Sequence, residues 1–463
     1  MIDSLRDFFA ERFGWVRIDQ VVDRIRHRLT FVPVVYVVVS LIVSQLLLWG
    51  DRTVWADSLP VLLTTTVTSA RSVFAALAGG LITSITLVMS MMLVAVQLAS
   101  SQFSPRTLRD WLSDRVLQHT IGLVLGTTVF NLMALRSTRS FAEDGREVVP
   151  HVTVLVAVVL GVVSLVAVVR SVDHLTHSLR IGSVAERIAT ATIAAIRSSE
   201  DVRPGQGSAA VPAASEIDPR HVGPDEVPDG AAAVEAWTTG WMQQFDSEAV
   251  IRALPEGATG HVVATLGGFV VEGTPLMWIS PPPDEEDECW DAVLHGFAIG
   301  DSRTLQSDVA FGILQLTDIA QRALSPGIND PSTANDVLVH LGAVLLAAWS
   351  LPTVEAVRSE DGRTLVRTEL GHADLLHRAL DPIRRDADDD PSVLMTMMRQ
   401  VLLVRSEALR RQLPGPIGPL DEFVREALRM IDGSTWRGHD VDELVELVTS
   451  IGLSVDRTAF GAR

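Results

Sequence analysis

Between Val73 and Ala99 the chain runs for twenty-seven residues without a formal charge. A bilayer core is roughly 30 Å thick and takes about 20 helical residues, so this run crosses it with residues to spare. In lipid a single spanning segment satisfies its own backbone groups as a helix. The run is not uniformly apolar. Thr83, Thr86, Ser90, Gln97 and Ser101 recur at steps of three, four or seven, which sets them along one helical stripe. Hydroxyls and amides on a spanning helix face protein or water in preference to acyl chains, so the stripe is a candidate lining for a pathway.

Three further apolar runs precede residue 173: Phe31–Trp49, Ile121–Leu135 and Val152–Val169. The third in chain order is short and begins near His119. The expected architecture is an α-helical membrane domain of four transmembrane helices followed by a cytoplasmic α+β domain, a small β-rich module and then a helical region. The first run is not a signal peptide, because about thirty residues with six arginines precede it and no small-residue cleavage site follows. Those arginines and Arg106, Arg109 and Arg115 oppose five on the other side (Arg52, Arg71, Arg136, Arg139, Arg146), which places both termini in the cytoplasm. No Asp, Glu, Lys, Arg or His falls within the four runs, which argues against proton relays through span carboxylates.

All 38 basic residues are arginine, so chemistry that needs lysine is excluded: a Walker A site, a pyridoxal Schiff base, biotin or lipoate attachment. The single Cys289 excludes an intrachain disulfide and any multi-cysteine metal or iron–sulfur site. A net charge of −19 argues against a nucleic-acid partner. No G-x-S-x-G, H-E-x-x-H or G-x-G-x-x-G motif is present. His174 and His177 have a spacing that permits a metal site, but no further ligands accompany them, and they read as interfacial histidines. The acidic runs 284–288 and 386–391 lack the spacing of a calcium loop and read as solvated surface. No cofactor is expected.

Residues 1–30 alternate apolar and arginine positions at helical spacing, either as an interfacial amphipathic helix or as a helix packed on the cytoplasmic domain. The four-span domain covers 31–190. Residues 191–235 hold the end of the helix that leaves the fourth span, then a Pro-, Gly- and acid-rich linker. A small β-rich module follows over 236–300, with β character in TTGWMQQFD, ATGHVVATL and GFVVEGTPLMWIS and a short helix at SEAVIRAL. Its GGFVVEGTPL phrase resembles the hairpin rhythm of lipoyl-like barrel-sandwich modules, here in a form without the carrier lysine. Residues 301–463 are mainly helical, with helices over 302–324, 331–350, 371–385, 391–413, 420–432 and 441–452. One β-hairpin interrupts them at the Asp361-Gly362 turn. Residues 53–72 suit a short interfacial or re-entrant helix, being apolar but too short to cross.

Two blocks concentrate special residues. In the first, Gln97–Arg115, Ser104 and Pro105 break the helix, and Arg106, Arg109 and Arg115 stand at the cytoplasmic mouth of whatever the stripe lines. Contact with phospholipid headgroups also accounts for them. In the second, Arg303–Ala334, Asp308, Gln315, Asp318 and Arg322 share one helical face beside Arg303, with Asp318 and Arg322 spaced for an ion pair. The loop Ser325-Pro-Gly327-Ile-Asn329-Asp330-Pro331 follows. Gly327 permits a left-handed backbone, and Asp330-Pro331 is the N-cap and first residue of a new helix. The free amides at Ser332 and Thr333 either hold an anionic ligand or belong to a rigid corner. SSQFSPR after an apolar span, with RTLQSDVAFGILQLTDIAQRALSPGINDPSTA, resembles the bacterial predicted membrane proteins grouped as domain-of-unknown-function family 2254. The resemblance covers essentially the whole chain. It implies a multi-pass protein of the bacterial inner membrane with a cytoplasmic C-terminal part, and it implies no activity.

Two readings follow. In one, subunits form a homo-oligomer in the bilayer and their second-span stripes line a channel-like path for a small ion, with arginines favouring anions. Helix–helix packing through Gly79, Gly80 and Ser84 is the competing account of the stripe. In the other, the spans anchor a regulatory or scaffolding domain that binds a ligand or partner near the SPGINDP loop. An enzyme ranks last, because Asp308, Asp318 and Arg322 supply neither a nucleophile–base pair nor a metal set.

Overall fold

The chain was analysed as a computed structural model, which describes residues 30–53, 66–102, 114–140, 150–178, 181–198, 230–284, 289–305, 308–351, 357–367, 370–387, 390–430, 436 and 438–449. Nearly all of the expected interfacial helix, residues 54–65, the Ser104-Pro105 corner with Arg106 and Arg109, and most of the linker lie outside these. The described residues form two compact units, Val22–Ser183 and Val184–Arg463.

Among the described residues the first unit has four helices: α1 (Phe31–Thr53), α2 (Val67–Gln102), α3 (Arg115–Ser140) and α4 (His151–Ser178). At 36 residues, α2 absorbs the C-terminal part of the expected 53–72 element. The short third run is the middle of a 26-residue helix, because Asp114 caps its start and polar residues extend it at both ends. That helix is the centre of the unit. In α3, 61% of the apolar stretch is buried, against 17, 22 and 28% in α1, α2 and α4. Glycines permit the close contacts: a Cβ at Gly122 would stand 2.7 Å from the Tyr36 ring, and one at Gly161 would stand 2.8 Å from Leu77. Leu81, Val88, Leu117, Ile121 and Val124 close one half of the interior; Phe74, Phe130, Ala134 and Ala157 close the other.

The second unit opens with α5 (Ile181–Ser198), whose buried face (Val184, Ala185, Ile188, Ala189, Thr192, Ile196) belongs to this unit. The boundary therefore falls at Val184 and not after residue 190. Next come β1 (Ala232–Glu235), β2 (Gly240–Phe245), α6 (Ser247–Ala253), β3 (Thr259–Val262), β4 (Phe269–Val270), β5 (Pro275–Ser280), α7 (Cys289–Leu294) and β6 (Phe297–Gly300). Then follow α8 (Val309–Leu324), α9 (Pro331–Trp349), β7 (Val357–Glu360), β8 (Arg363–Arg367), α10 (His372–Asp386), α11 (Pro391–Arg411), α12 (Gly418–Met430) and α13 (Gly438–Thr449).

The strands make two sheets, β1-β5-β3-β8-β7 and β4-β2-β6. Met242, Val250, Ile251, Leu276, Met277, Ile279, Phe297 and Leu365 form their core. Three sequence expectations change here. The linker ends early, because Ala232–Glu235 is a strand paired with β5. GGFVVEGTPL is not a hairpin: β4 pairs with β2 and β5 with β1 and β3, so the phrase turns a corner between sheets. The hairpin β7–β8 is not an insert in the helical region, since β8 pairs in parallel with β3. Its turn residues Asp361 (φ 47°) and Gly362 (φ 75°) have the left-handed geometry that two-residue hairpins require.

The helices α9 and α11 run in parallel from matching Asp-Pro starts. Asn335 donates to Ser392 Oγ at 2.8 Å near both N-termini, and a Cβ at Gly342 would meet the Gln400 side chain at 2.3 Å. Five helices among the described residues are long and apolar enough to cross a membrane: α1 to α4 and α9.

Candidate functional site

Thr83, Thr86, Ser90 and Gln97 are exposed on one face of α2. Their hydroxyls turn back onto their own helix: Thr83 donates to the Gly79 carbonyl at 3.1 Å, Thr86 to Ile82 at 2.9 Å and Ser90 to Thr86 at 2.9 Å. Such bonds lower the cost of a hydroxyl in an apolar medium and leave the oxygen able to accept. Gly79 and Gly80 lie on the same open side, where a Cβ would meet nothing within 4 Å. Among the described residues the close approaches are made instead at Gly122, Gly126 and Gly161. The side chain of Ser101 lies outside the described residues, and Arg115 is exposed in the first turn of α3.

Polar groups inside the bundle were not singled out from sequence. Asp51, 2% exposed in the last turn of α1, accepts from Thr153 N at 3.0 Å, Val152 N at 3.2 Å and the Thr153 hydroxyl at 2.5 Å. It thereby caps α4 across the bundle, where an anion meets the positive end of the helix dipole. The apolar runs contain no charge, but the helices outlast the runs, and a buried carboxylate does belong to α1. At the opposite end Asp114 caps α3 through Val116 N at 2.8 Å and accepts from His174 Nε2 at 2.7 Å. Between them Ser164 donates to Thr127 Oγ1 at 3.0 Å, beside buried Thr128 and Asn131. The sequence signal for this seam was present: α3 is the least apolar of the four, and Thr127 and Asn131 are one turn apart. Among the described residues no group of three metal-ligating side chains occurs.

In the second unit Asp308 is buried at the start of α8. Its Oδ1 accepts from Phe311 N at 2.9 Å, and its Oδ2 takes Arg303 Nε at 2.8 Å and Nη2 at 2.7 Å. The Arg303 guanidinium also lies 5.0 Å from the Phe311 ring centroid. Gly267 (φ 71°) presses on this pair, where a Cβ would lie 2.1 Å from Asp308 Oδ2. The turn of GGFVVEGTPL and the start of the second motif thus form one structure. The helix α8 begins at Val309 and not at Ser302, because Asp308 takes the N-cap.

Further along, Gln315 is buried, while Asp318 and Arg322 are half-buried on α8. A Cβ at Gly312 would stand 1.9 Å from Thr192 Oγ1, so α5 packs directly on this helix. After it, Ser325 caps the end through Arg322 O, and Asp330 caps α9. The left-handed residue of the loop is Asn329 (φ 48°) and not Gly327, an assignment an asparagine side chain tolerates. The Asp330 carboxylate accepts from Thr333 N at 3.2 Å, the Thr333 hydroxyl at 2.6 Å and Ser332 Oγ at 2.7 Å. Those bonds hold its pKa below the ordinary carboxylate value and place the chain's own anion at this helix N-terminus.

Uncharacterised proteins of Mycobacterium tuberculosis (Rv1290c) and Mycobacterium bovis (Mb1321c) are 30% identical over 342 residues, 71% of this chain. The match spans 62% of the length of those relatives. No solved structure matches the chain. The model of the family described as "Predicted membrane protein (DUF2254)" matches residues 26–402. The chain is therefore a bacterial multi-pass membrane protein of unknown function and belongs to the DUF2254 family.

Proposed function

We propose that the protein is a homo-oligomeric, channel-like or transport-related protein of the bacterial inner membrane, with four spans, both termini in the cytoplasm, and the α2 stripe lining a path between subunits. One observation carries the reading: Thr83, Thr86, Ser90 and Gln97 are exposed on α2, while two clusters of apolar side chains close the interior of the bundle. A polar stripe directed outward from a spanning helix meets lipid unless another subunit or water covers it. Arg115, with Arg106 and Arg109, supplies positive charge at the cytoplasmic mouth and biases the path toward small anions.

The count of four treats α9 as part of the cytoplasmic unit, where Val337, Leu338, Leu341, Val344, Leu345 and Trp349 are fully buried. The reading assigns no catalytic role to Asp308, Asp318 or Arg322.

The experiment is ion flux from liposomes holding the purified protein, compared with Ser90→Leu and Gln97→Leu. Flux that depends on these residues supports the proposal. An absence of flux in every ion gradient and at every voltage refutes it, as does flux unchanged by both substitutions.

A second reading, a membrane-anchored scaffold, rests on the SPGINDP loop, where Ile328 is 49% exposed beside the left-handed Asn329. Thermal-shift screening of the full chain against nucleotides, ions and metabolites tests it, with Ile328→Ser expected to remove any stabilisation.

A further inference from the structure

The middle of the membrane unit holds a buried acceptor that no donor among the described residues reaches, one helical turn from a hydroxyl pair. Thr127 lies near the centre of α3 and Ser164 near the centre of α4, and the Ser164 hydroxyl donates to Thr127 Oγ1 at 3.0 Å. One turn further along α3, Asn131 has no exposed surface. Its amide NH₂ donates to the Thr127 carbonyl at 2.8 Å. Its Oδ1 is buried and, among the described residues, has no hydrogen-bond partner. Thr127 accepts the proton of Ser164, and among the described residues its own proton reaches no acceptor. A buried carbonyl oxygen left without a donor costs about 1–3 kcal/mol. At this depth no bulk solvent relieves that cost.

The spacing suits one small bridging molecule. Side chains four residues apart on a helix have Cβ atoms about 5–6 Å apart, roughly the span of two hydrogen bonds through a shared oxygen. We infer that Thr127, Asn131 and Ser164 form an internal water-binding site near mid-membrane. The water accepts the Thr127 proton, donates one hydrogen to Asn131 Oδ1 and the other to a lone pair on Ser164 Oγ. Three bonds are the usual complement of a buried water.

A metal cation is a poor occupant. Asp114 is seventeen residues from Asn131 along α3, about 25 Å at 1.5 Å per residue, and Asp51 serves the far end of α4, so neither of these buried or half-buried carboxylates compensates a charge here. The site is internal to one subunit and separate from the α2 stripe, so it stands or falls independently of the channel reading.

Hydroxyl-radical footprinting by synchrotron radiolysis of the full-length protein in detergent tests it, since radicals formed from a bound water label the side chains around it. Val124 and Phe130, buried beside Thr127 and Asn131 on α3, are expected to be labelled several-fold faster than the equally buried Phe297 of the second unit. Asn131→Leu is expected to bring them down to the Phe297 rate. Where that variant fails to assemble, Thr127→Val, which keeps the shape and removes the hydroxyl that the water accepts from, is expected to lower the labelling in the same way. Labelling at the Phe297 rate in the unsubstituted protein overturns the inference, as does labelling unchanged by the substitutions. Labelling that vanishes when sodium is replaced by a bulky organic cation also overturns it, in favour of an ion.

Discussion

Removal of the Asp308 carboxylate tests whether the second motif is a structural joint. Asp308→Ala deletes the N-cap of α8 and leaves Arg303 unpaired with only 17% of its side chain exposed. Loss of a capping side chain costs about 1 kcal/mol, and breaking a buried ion pair by removing one partner costs about 3–5 kcal/mol. Arg303 keeps some access to water and its contact with the Phe311 ring, so the ion-pair part is reduced to about 2 kcal/mol and the total with the cap is about 3 kcal/mol. For a unit of this size that is a fall in Tm of about 6–12 °C. Asp308→Asn keeps an acceptor for Phe311 N and loses the charge, and it should fall between. Arg303→Met should cost less than Asp308→Ala, because a buried carboxylate that still caps a helix retains part of its compensation. The double variant Asp308→Ala/Arg303→Met should be less destabilised than the sum by about 1–3 kcal/mol, the coupling typical of groups in direct contact. Thermal unfolding followed by tryptophan fluorescence in detergent, with hydrogen exchange read at the amides of Phe311 and Gly312, measures both effects. A shift under about 2 °C for Asp308→Ala, or additive double-variant values, would refute the joint.

Gly312→Ala puts a Cβ 1.9 Å from Thr192 Oγ1, so overpacking of about 1–3 kcal/mol is expected, with partial relief by Thr192→Ala in the same unfolding assay. Asp51→Ala uncaps α4 and should speed hydrogen exchange at Val152 and Thr153 while leaving the second unit unchanged. His372 is buried, donates from Nε2 toward the carbonyls of Ala348 and Leu351, and packs edge-on against Trp349. Burial pushes its pKa below 6.5, so the unfolded chain binds the proton first as pH falls. The contribution is complete above the unfolded value and is lost as pH drops below about 6.5 toward the folded one. Between pH 7.5 and 5, Tm should therefore fall more for the unsubstituted protein than for His372→Gln. Equal slopes would remove His372 as a cause.

The spans were legible because a long uncharged run has few alternatives, and helices α9 to α13 lie within three residues of their expected bounds for similar reasons. Asp-Pro starts and 3.6-residue patterning act within a few turns of chain. What could not be read was mostly non-local. Strand β1 has four residues and no alternation, so its existence depends on pairing with β5. The parallel pairing of β3 with β8 joins segments about a hundred residues apart. The contact of Gly267 with Asp308 needs the same kind of folding back. The Asp51 cap is a different case: the residue is plain in sequence, but a carboxylate at the edge of a span looks like a solvated helix end until α4 is laid across it.

The second motif block and the α2 stripe separate on one criterion, whether bonds to the rest of the chain already account for their polar residues. In the second block they largely do. Asp308 caps one helix, Gly312 admits α5, Ser325 closes α8, Asn329 takes the left-handed turn, and Asp330 caps α9 with Pro331 in its first turn. A block dense in special residues is what a tight helix–turn–helix corner needs, and density alone gives no reason to look there for a ligand. The α2 stripe is the opposite case. Among the described residues, Thr83, Thr86 and Ser90 bond only to carbonyls of their own helix, and they are exposed with Gly79 and Gly80. Leucine at those positions should leave the subunit fold intact, whereas leucine at Asn131 or Thr127 would fall inside the bundle. Under the proposed reading, an exposed polar set on an apolar helix, where polar groups are costly, is covered by water or a second copy of the chain.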